Sequence, residues 1–289
     1  MDAILITGPT ASGKSALAVE LAQKHDGEVI NADSMQVYDT LHALTARPLK
    51  EDMGGVPHHL YGVVPAGRKY STGEWLRSAE RVVGDVRTRG RLPVFVGGTG
   101  LYFKALAGGL ADMPDIPADI REKWRTGLKA EGPEAMHAQL LKLDRRAAET
   151  LSPTDGQRIV RALEVVEASG TSILDFQRAA GKTVIDVDKA RKIIVLPDRR
   201  ILHQRINRRF ETMLDMGAIE EVRALLALEL DPDMPVMKAI GVPQIAAMLA
   251  GKLSREEVIE QASAATRQYA KRQMTWFRNQ MDESWERRN

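Results

Sequence analysis

Hydrophobic positions along the chain follow two rhythms. Short unbroken apolar runs, "AILIT" at 3–7, "PVFV" at 93–96 and "KIIVLP" at 192–197, predict strands buried on both faces. "EVINADS" at 28–34 predicts a further strand running into a polar turn. Between these runs the spacing turns helical. Ala16, Leu17, Ala18, Leu21 and Ala22 share one helical face, with Gly27 as the expected C-cap, and a second helix is predicted over about 72–89. Strand, glycine turn and helix recur within "LPVFVGGTGLYFKAL" at 92–106.

Strands alternating with helices predict an α/β fold, a parallel sheet covered on both faces. Near residue 112 the rhythm changes. "ADMPDIPADIREKW" carries prolines, and helical spacing without a strand pattern continues to about Ala180. The expected organisation is therefore a discontinuous catalytic core, 1–112 and 190–289, with a helical insertion domain at 113–189. From Arg199 onward the chain again reads as helix.

Composition narrows the class. Hydrophobic residues make up 44% of the 289, enough for a sizeable core. The net charge of +2 leaves no global excess of basic groups, so any surface for a polyanion must come from clustering. Cysteine is absent, which removes disulfides, thiolate metal sites and cysteine nucleophiles, and fits a reducing cytoplasm. No apolar run is long enough to span a bilayer, and no basic leader precedes the strand at Ala3. A soluble cytoplasmic protein with no membrane partner is expected.

The first turn carries the chemistry. Gly8, Pro9, Thr10, Ala11, Ser12, Gly13, Lys14 and Ser15 match G-x-x-x-x-G-K-[ST], between a strand and a helix as a phosphate-binding loop requires. Its backbone N–H groups, a helix N-terminus and Lys14 would converge on phosphate oxygens, with the Ser15 hydroxyl as ligand to Mg²⁺. By motif this is a nucleotide-binding, ATP-binding pattern. The strand "PVFV" nevertheless runs into Gly97-Gly98-Thr99, where an ATPase would place a metal-binding carboxylate. Asp33, after the second strand, belongs at the carboxyl edge of the sheet, where open α/β folds bind ligands. It reads equally as a catalytic carboxylate or as a side chain capping its own turn. Thr99 reads as a hydroxyl offered to a ligand or as the cap of the following helix. His58 and His59 are adjacent, poor spacing for one metal, and read as structural.

Basic residues cluster on later helices. Leu202, Ile206, Phe210 and Met213 form an apolar stripe with Arg205 and Arg209 on its border, while Arg208 is expected to point away. Arg267, Lys271 and Arg278 share a face, and with Gln157, Arg158 and Arg161 they suggest a groove for nucleic-acid phosphates.

Taken together, "GPTASGKS", "NADSMQVY", "GVPHHL", "VGGTGLY", "DGQRIVRALEV" and "ATRQYAKRQMTWFR" resemble the tRNA dimethylallyltransferase (isopentenyltransferase) family, in its order and spacing along nearly the full chain. The resemblance implies a P-loop NTPase-like core with a helical insertion. It implies a prenyltransferase that moves a dimethylallyl group from dimethylallyl diphosphate to the N6 amine of adenosine 37 of tRNA. By this resemblance Lys14, Arg209 and Arg205 hold the diphosphate with Mg²⁺ on Ser15, Asp33 is the general base and Thr99 orients the amine. Ser34, Met35 and Gln36 would line the base site. Arg121 and Gln157, Arg158, Ile159, Val160 and Arg161 would touch the anticodon stem-loop, along with Arg267, Lys271 and Arg278. A monomer is the simplest form for such an enzyme. Two stretches depart from the family pattern: "DTLHALTARP", with Arg47 where lysine is usual, and "AIGVPQI", with Val242 and Pro243. Two rivals remain at this point, a P-loop kinase using Asp33 as base and a non-catalytic RNA-binding protein.

Overall fold

The computed structural model describes residues 1–179, 181 and 183–289. Its elements run in the order the rhythm predicts. β1 (Ile4–Thr7), α1 (Lys14–Lys24), β2 (Gly27–Asn31), β3 (His58–His59), α2 (Thr72–Thr88), β4 (Leu92–Gly97) and α3 (Gly100–Leu106) come first. Helices α4 (Ala118–Leu143), α5 (Arg145–Thr150), α6 (Gly156–Ser169) and α7 (Ile173–Arg178) follow. The chain then returns through β5 (Arg191–Val195), α8 (Arg199–Met213), α9 (Ile219–Leu226), α10 (Val242–Leu249), α11 (Arg255–Gln280) and β6 (Glu286–Arg288).

All six strands are parallel, in the order β3-β2-β4-β1-β5-β6. The apolar runs are unbroken because alternate residues enter different cores. Ile4, Ile6, Val29, Val94, Val96 and Ile193 pack under α1 with Ala18 and Leu21, while Leu5, Ile30, Phe95 and Ile194 join Trp75 and Tyr102 on the other face. α2 starts at a capping box, Ser71 with Glu74, and buries Trp75, Ala79, Val83 and Val86 at helical spacing. The Trp75 ring stacks on Tyr102 at 4.0 Å, and its Nε1 donates to the Asn31 carbonyl at 3.0 Å.

Contacts divide the chain into two compact units, 1–107 with 184–289, and 108–183. These breaks fall a few residues before the expected 112/113 and 189/190. The second unit is helical and has its own core of Trp124, Met136, Leu140, Ile159 and Leu163. Its long helix α4 is broken at Gly132-Pro133, where Gly132 leaves helical geometry.

Three elements differ from expectation. Gly27 opens β2 instead of capping α1, because Asp26 takes the left-handed position, at φ 51°. His58 and His59 form an edge strand too short to show a pattern. The charged tail Glu286–Arg288 becomes β6 by pairing with β5, which no local propensity announces.

Candidate active site

Strand order decides which turns meet. β4 lies between β1 and β2, with Thr7 beside Gly97 and Asn31 beside Val96. The three turns leaving these strands therefore share one edge of the sheet, the carboxyl edge of a crossover point. They are the glycine loop, the Asp33 turn and the Gly97-Gly98-Thr99 turn.

A cavity of about 590 Å³ opens there, lined by Thr10 to Ala16, Asp33, Gln36, Thr45, Tyr61, Val96, Gly97, Arg205, Arg208, Arg209 and Thr212. Within the loop, Ala11 (φ 62°) and Gly13 (φ 92°) both take left-handed backbone, a conformation that turns successive N–H groups toward one point. Ser12 is buried, and its Oγ has no hydrogen-bond partner among the described residues. A buried unsatisfied hydroxyl is costly, and an oxyanion in the loop would satisfy it. Lys14 Nζ donates to the Pro9 carbonyl at 3.2 Å. Burial lowers its ammonium to about 8, against the opposing Asp33 charge and with Arg209 adding to the fall. Arg209 is likewise pushed down by burial and supported by Asp33. Its Nη1 donates to Thr10 Oγ1 at 3.4 Å, and Arg205 Nη1 donates to the Ser12 carbonyl at 3.3 Å.

Arg208 corrects the expectation. It lines the cavity, since 205, 208, 209 and 212 fall at i, i+3, i+4 and i+7 and so form one stripe along α8. Leu202, Ile206 and Phe210 are buried along the neighbouring stripe.

Asp33 caps its own turn and also lines the cavity. Oδ1 accepts from the Met35 amide at 2.9 Å and more distantly from Gln36, as a turn cap does. Oδ2 has no hydrogen-bond partner among the described residues, and the half-buried side chain lines the cavity. The turn is anchored by Asn31, whose Nδ2 donates to the carbonyls of Asp33 and Leu60 and whose Oδ1 accepts from the Asp33 amide. Thr99 stands at the N-cap of α3, yet its hydroxyl does not cap that helix. Its Oγ1 accepts from the Ser34 amide at 2.9 Å and donates to Ser34 Oγ at 3.3 Å. Tyr61 also faces the cavity, its phenol pushed up by burial and then by the Asp33 charge.

The remaining predicted residues scatter. Gly8, Pro9, Ser34, Met35 and Thr99 are not among the residues lining the cavity, although Ser34 and Thr99 belong to the adjoining turns. In the helical unit Arg121, Gln157 and Arg158 are exposed, and Arg161 is half-buried on Glu164 at 3.2 Å. Ile159 and Val160 are core residues of that unit, so the expectation that they touch a partner is corrected: the apolar face of α6 claims them. On α11 Lys271 and Arg278 are exposed, and Arg267 Nη1 donates to Asn207 Oδ1 at 2.6 Å. Arg47 is half-buried, its Nη1 donating to the Tyr38 carbonyl at 3.2 Å, while Val242 lies in the core.

One residue escaped the sequence reading. Gln273 of α11 is 6% exposed, and it bonds both the glycine loop and the Gly98 carbonyl. A glutamine at helical spacing from Ala270 and Phe277, on the buried stripe of α11, was the available signal.

The donor set suits a hard divalent cation held jointly with a ligand's phosphates. It offers the Ser15 hydroxyl, and among the described residues no group of three His, Cys, Asp or Glu side chains could hold a metal ion by itself. Among the described residues no helix is long and apolar enough to cross a membrane.

Comparison with known proteins agrees along the whole chain. The family model described as "IPP transferase" matches residues 36–280, and that described as "Isopentenyl transferase" matches 1–61. A tRNA dimethylallyltransferase of Rhizobium johnstonii is 68% identical over 287 residues, covering 99% of this chain and 97% of that protein. One from Agrobacterium fabrum is 66% identical, covering 99% and 96%. Among solved structures, the tRNA isopentenylpyrophosphate transferase of Bacillus halodurans is 33% identical with a TM-score of 0.69, covering 99% of this chain and 89% of that one. A eukaryotic dimethylallyltransferase captured acting on tRNA is 29% identical with a TM-score of 0.81, covering 95% and 69%.

Proposed function

The chain belongs to the tRNA dimethylallyltransferase family, and from that premise we propose that it transfers a dimethylallyl group from dimethylallyl diphosphate to tRNA, at the N6 amine of adenosine 37. The observation that carries this reading is the shared cavity. A glycine loop with an unsatisfied Ser12 hydroxyl, three arginines and an unspent Asp33 oxygen all face one space.

The loop amides, Lys14, Arg209 and Arg205 hold the diphosphate. Such a cradle grips charged oxygens whether phosphorus or the adjoining carbon is attacked, so ATP is not required. The N6 lone pair attacks C1 of the allyl group as the C1–O bond breaks, and diphosphate departs with the bonding electrons. Lys14 and the arginines stabilise the charge that develops on it. Adenine N6 is a poor nucleophile because its lone pair is delocalised into the ring. Asp33 Oδ2 accepts its proton as the N–C bond forms, while Oδ1 stays on its own turn and fixes the carboxylate's direction. Thr99 holds the Ser34 backbone and so shapes the base site. Ser15 would hold Mg²⁺ together with the diphosphate, and the ion would supply further neutralisation of the leaving group.

The target base leaves the anticodon-loop stack to reach this site. The exposed Arg121, Gln157 and Arg158 of the helical unit, with Lys271 and Arg278, contact the RNA backbone. A cytoplasmic monomer suits this role. The test is incubation of the purified protein with unmodified tRNA, Mg²⁺ and dimethylallyl diphosphate, without nucleotide. Prenylated adenosine supports the reading; phosphate transfer from added ATP with no prenylation replaces it by a kinase.

A further inference from the structure

Gln273 occupies a place that the reaction chemistry does not require and the geometry does. Its Oε1 accepts from the Thr10 amide in the glycine loop at 3.0 Å. Its Nε2 donates to the Gly98 carbonyl, in the turn that carries Thr99, at 2.9 Å. The orientation of the amide is dictated by its partners, because a backbone N–H only donates and a carbonyl only accepts. Gly98 lacks a side chain where one would collide: a Cβ there would stand 2.2 Å from Gln273 Nε2.

These bonds complete a path between the two halves of the cavity. From Thr10, whose hydroxyl also accepts from Arg209, the path runs through Gln273 to Gly98. Thr99 follows in the chain and holds the Ser34 amide, next to Asp33. We propose that Gln273 is a positioning residue that sets the distance between the diphosphate cradle and the nucleobase site, touching neither substrate. This rests on the proposed function. Docking of α11 does not depend on the amide, since Ala270 and Phe277 are buried on the same helix and Trp276 lies against Gly100. Burying an amide there is justified by what it aligns. Two reacting groups need alignment to a fraction of an ångström, and neither half-site loses a ligand contact with this amide.

Two substitutions test this. Gln273→Met keeps length and packing and deletes both bonds. It is expected to leave the KM for dimethylallyl diphosphate and for an anticodon stem-loop RNA within about threefold of wild type while kcat falls on the order of 10- to 100-fold. Gln273→Glu discriminates further. As an anion the introduced carboxylate repels the Gly98 carbonyl; protonated, it again offers one acceptor and one donor. Lys14, Asp33 and Arg209 are common to both proteins, so the quantity to follow is kcat relative to wild type. That ratio is expected to rise as pH falls from about 8 to about 6, burial having raised the introduced group's pKa, while the ratio for Gln273→Met stays flat. The proposal is overturned if kcat of Gln273→Met matches wild type, if its loss lies wholly in either KM, or if the glutamate ratio does not move with pH. Should the methionine variant fail to fold, the pH response of the glutamate variant decides alone. Wild-type protein that forms no prenylated adenosine refutes the function itself and not this inference.

Discussion

Asp33 accepts the Met35 amide on Oδ1 at 2.9 Å and leaves Oδ2 to the cavity. A single carboxylate thus shapes its turn with one oxygen and keeps the other for the proposed role as base. The two roles separate on substitution. Asp33→Asn keeps an oxygen for the Met35 amide but loses the base, so kcat is expected to fall ~10²–10⁴-fold with tRNA affinity and melting temperature near wild type. Asp33→Ala loses both and should also lower the melting temperature. Steady-state kinetics beside thermal melts separate them; equal stability losses in the two variants would contradict the division of labour.

Lys14 gives diphosphate binding a pH signature. Burial holds its ammonium at about 8 in the ligand-free chain. An anion in the loop favours the charged form, so above that value binding must take up a proton and affinity weakens as pH rises; below it Lys14 adds no pH dependence. Lys14→Arg keeps its charge throughout and should lose this component. Calorimetric titration with inorganic diphosphate checks it, since identical pH slopes for both proteins would exclude Lys14.

Arg209 and Arg205 differ in kind. Arg209 is half-buried and donates to the Thr10 hydroxyl, whereas Arg205 braces the loop through the Ser12 carbonyl. Arg209→Ala is expected to raise the KM for dimethylallyl diphosphate roughly 10- to 100-fold, the scale of a lost charge-assisted contact, and Arg205→Ala less. The KM for tRNA should hardly change in either. A parallel rise in both KM values for Arg209→Ala would argue against its place in the donor site.

Beneath the sheet edge, Glu28 tests stability alone. It is 3% exposed and accepts from Arg89 Nε and Nη2 at 2.9 and 2.7 Å, with His59 Nε2 at 2.6 Å. The Arg89 hydrogen bonds hold its carboxyl below the usual range, against burial and assisted by His59. With the folded value depressed, the stabilisation is complete above the ordinary glutamate pKa and vanishes as pH falls through the folded one. Glu28→Gln should cost about 1–3 kcal/mol at neutral pH, with the gap to wild type closing in acid. Urea denaturation across pH measures this, and a gap constant with pH would refute the ionic contribution.

What was legible in the chain was what local physics controls. "AILIT" and "PVFV" are apolar at every position because both sheet faces are covered, and the glycine loop announces itself between a strand and a helix. Strand order was not legible, and it decides that β4 enters between β1 and β2 and so brings Thr99 to Asp33. Ile159 and Val160 lie inside a family motif, but the period of α6 puts them in its core. Arg208 faces the cavity because it shares the Arg205–Arg209 stripe of α8, and Gln273 is masked in sequence by the basic residues around it. Long-range pairing produced β6, where three charged residues carry no strand pattern.

The most direct test is a crystal structure with an anticodon stem-loop RNA and dimethylallyl thiodiphosphate, an unreactive donor analogue. The account predicts the diphosphate on the amides of residues 11–15 with Lys14 and Arg209, and Asp33 Oδ2 within hydrogen-bonding distance of the flipped adenine's N6. An analogue bound outside the glycine loop, or an adenine amine out of reach of Asp33, would contradict it.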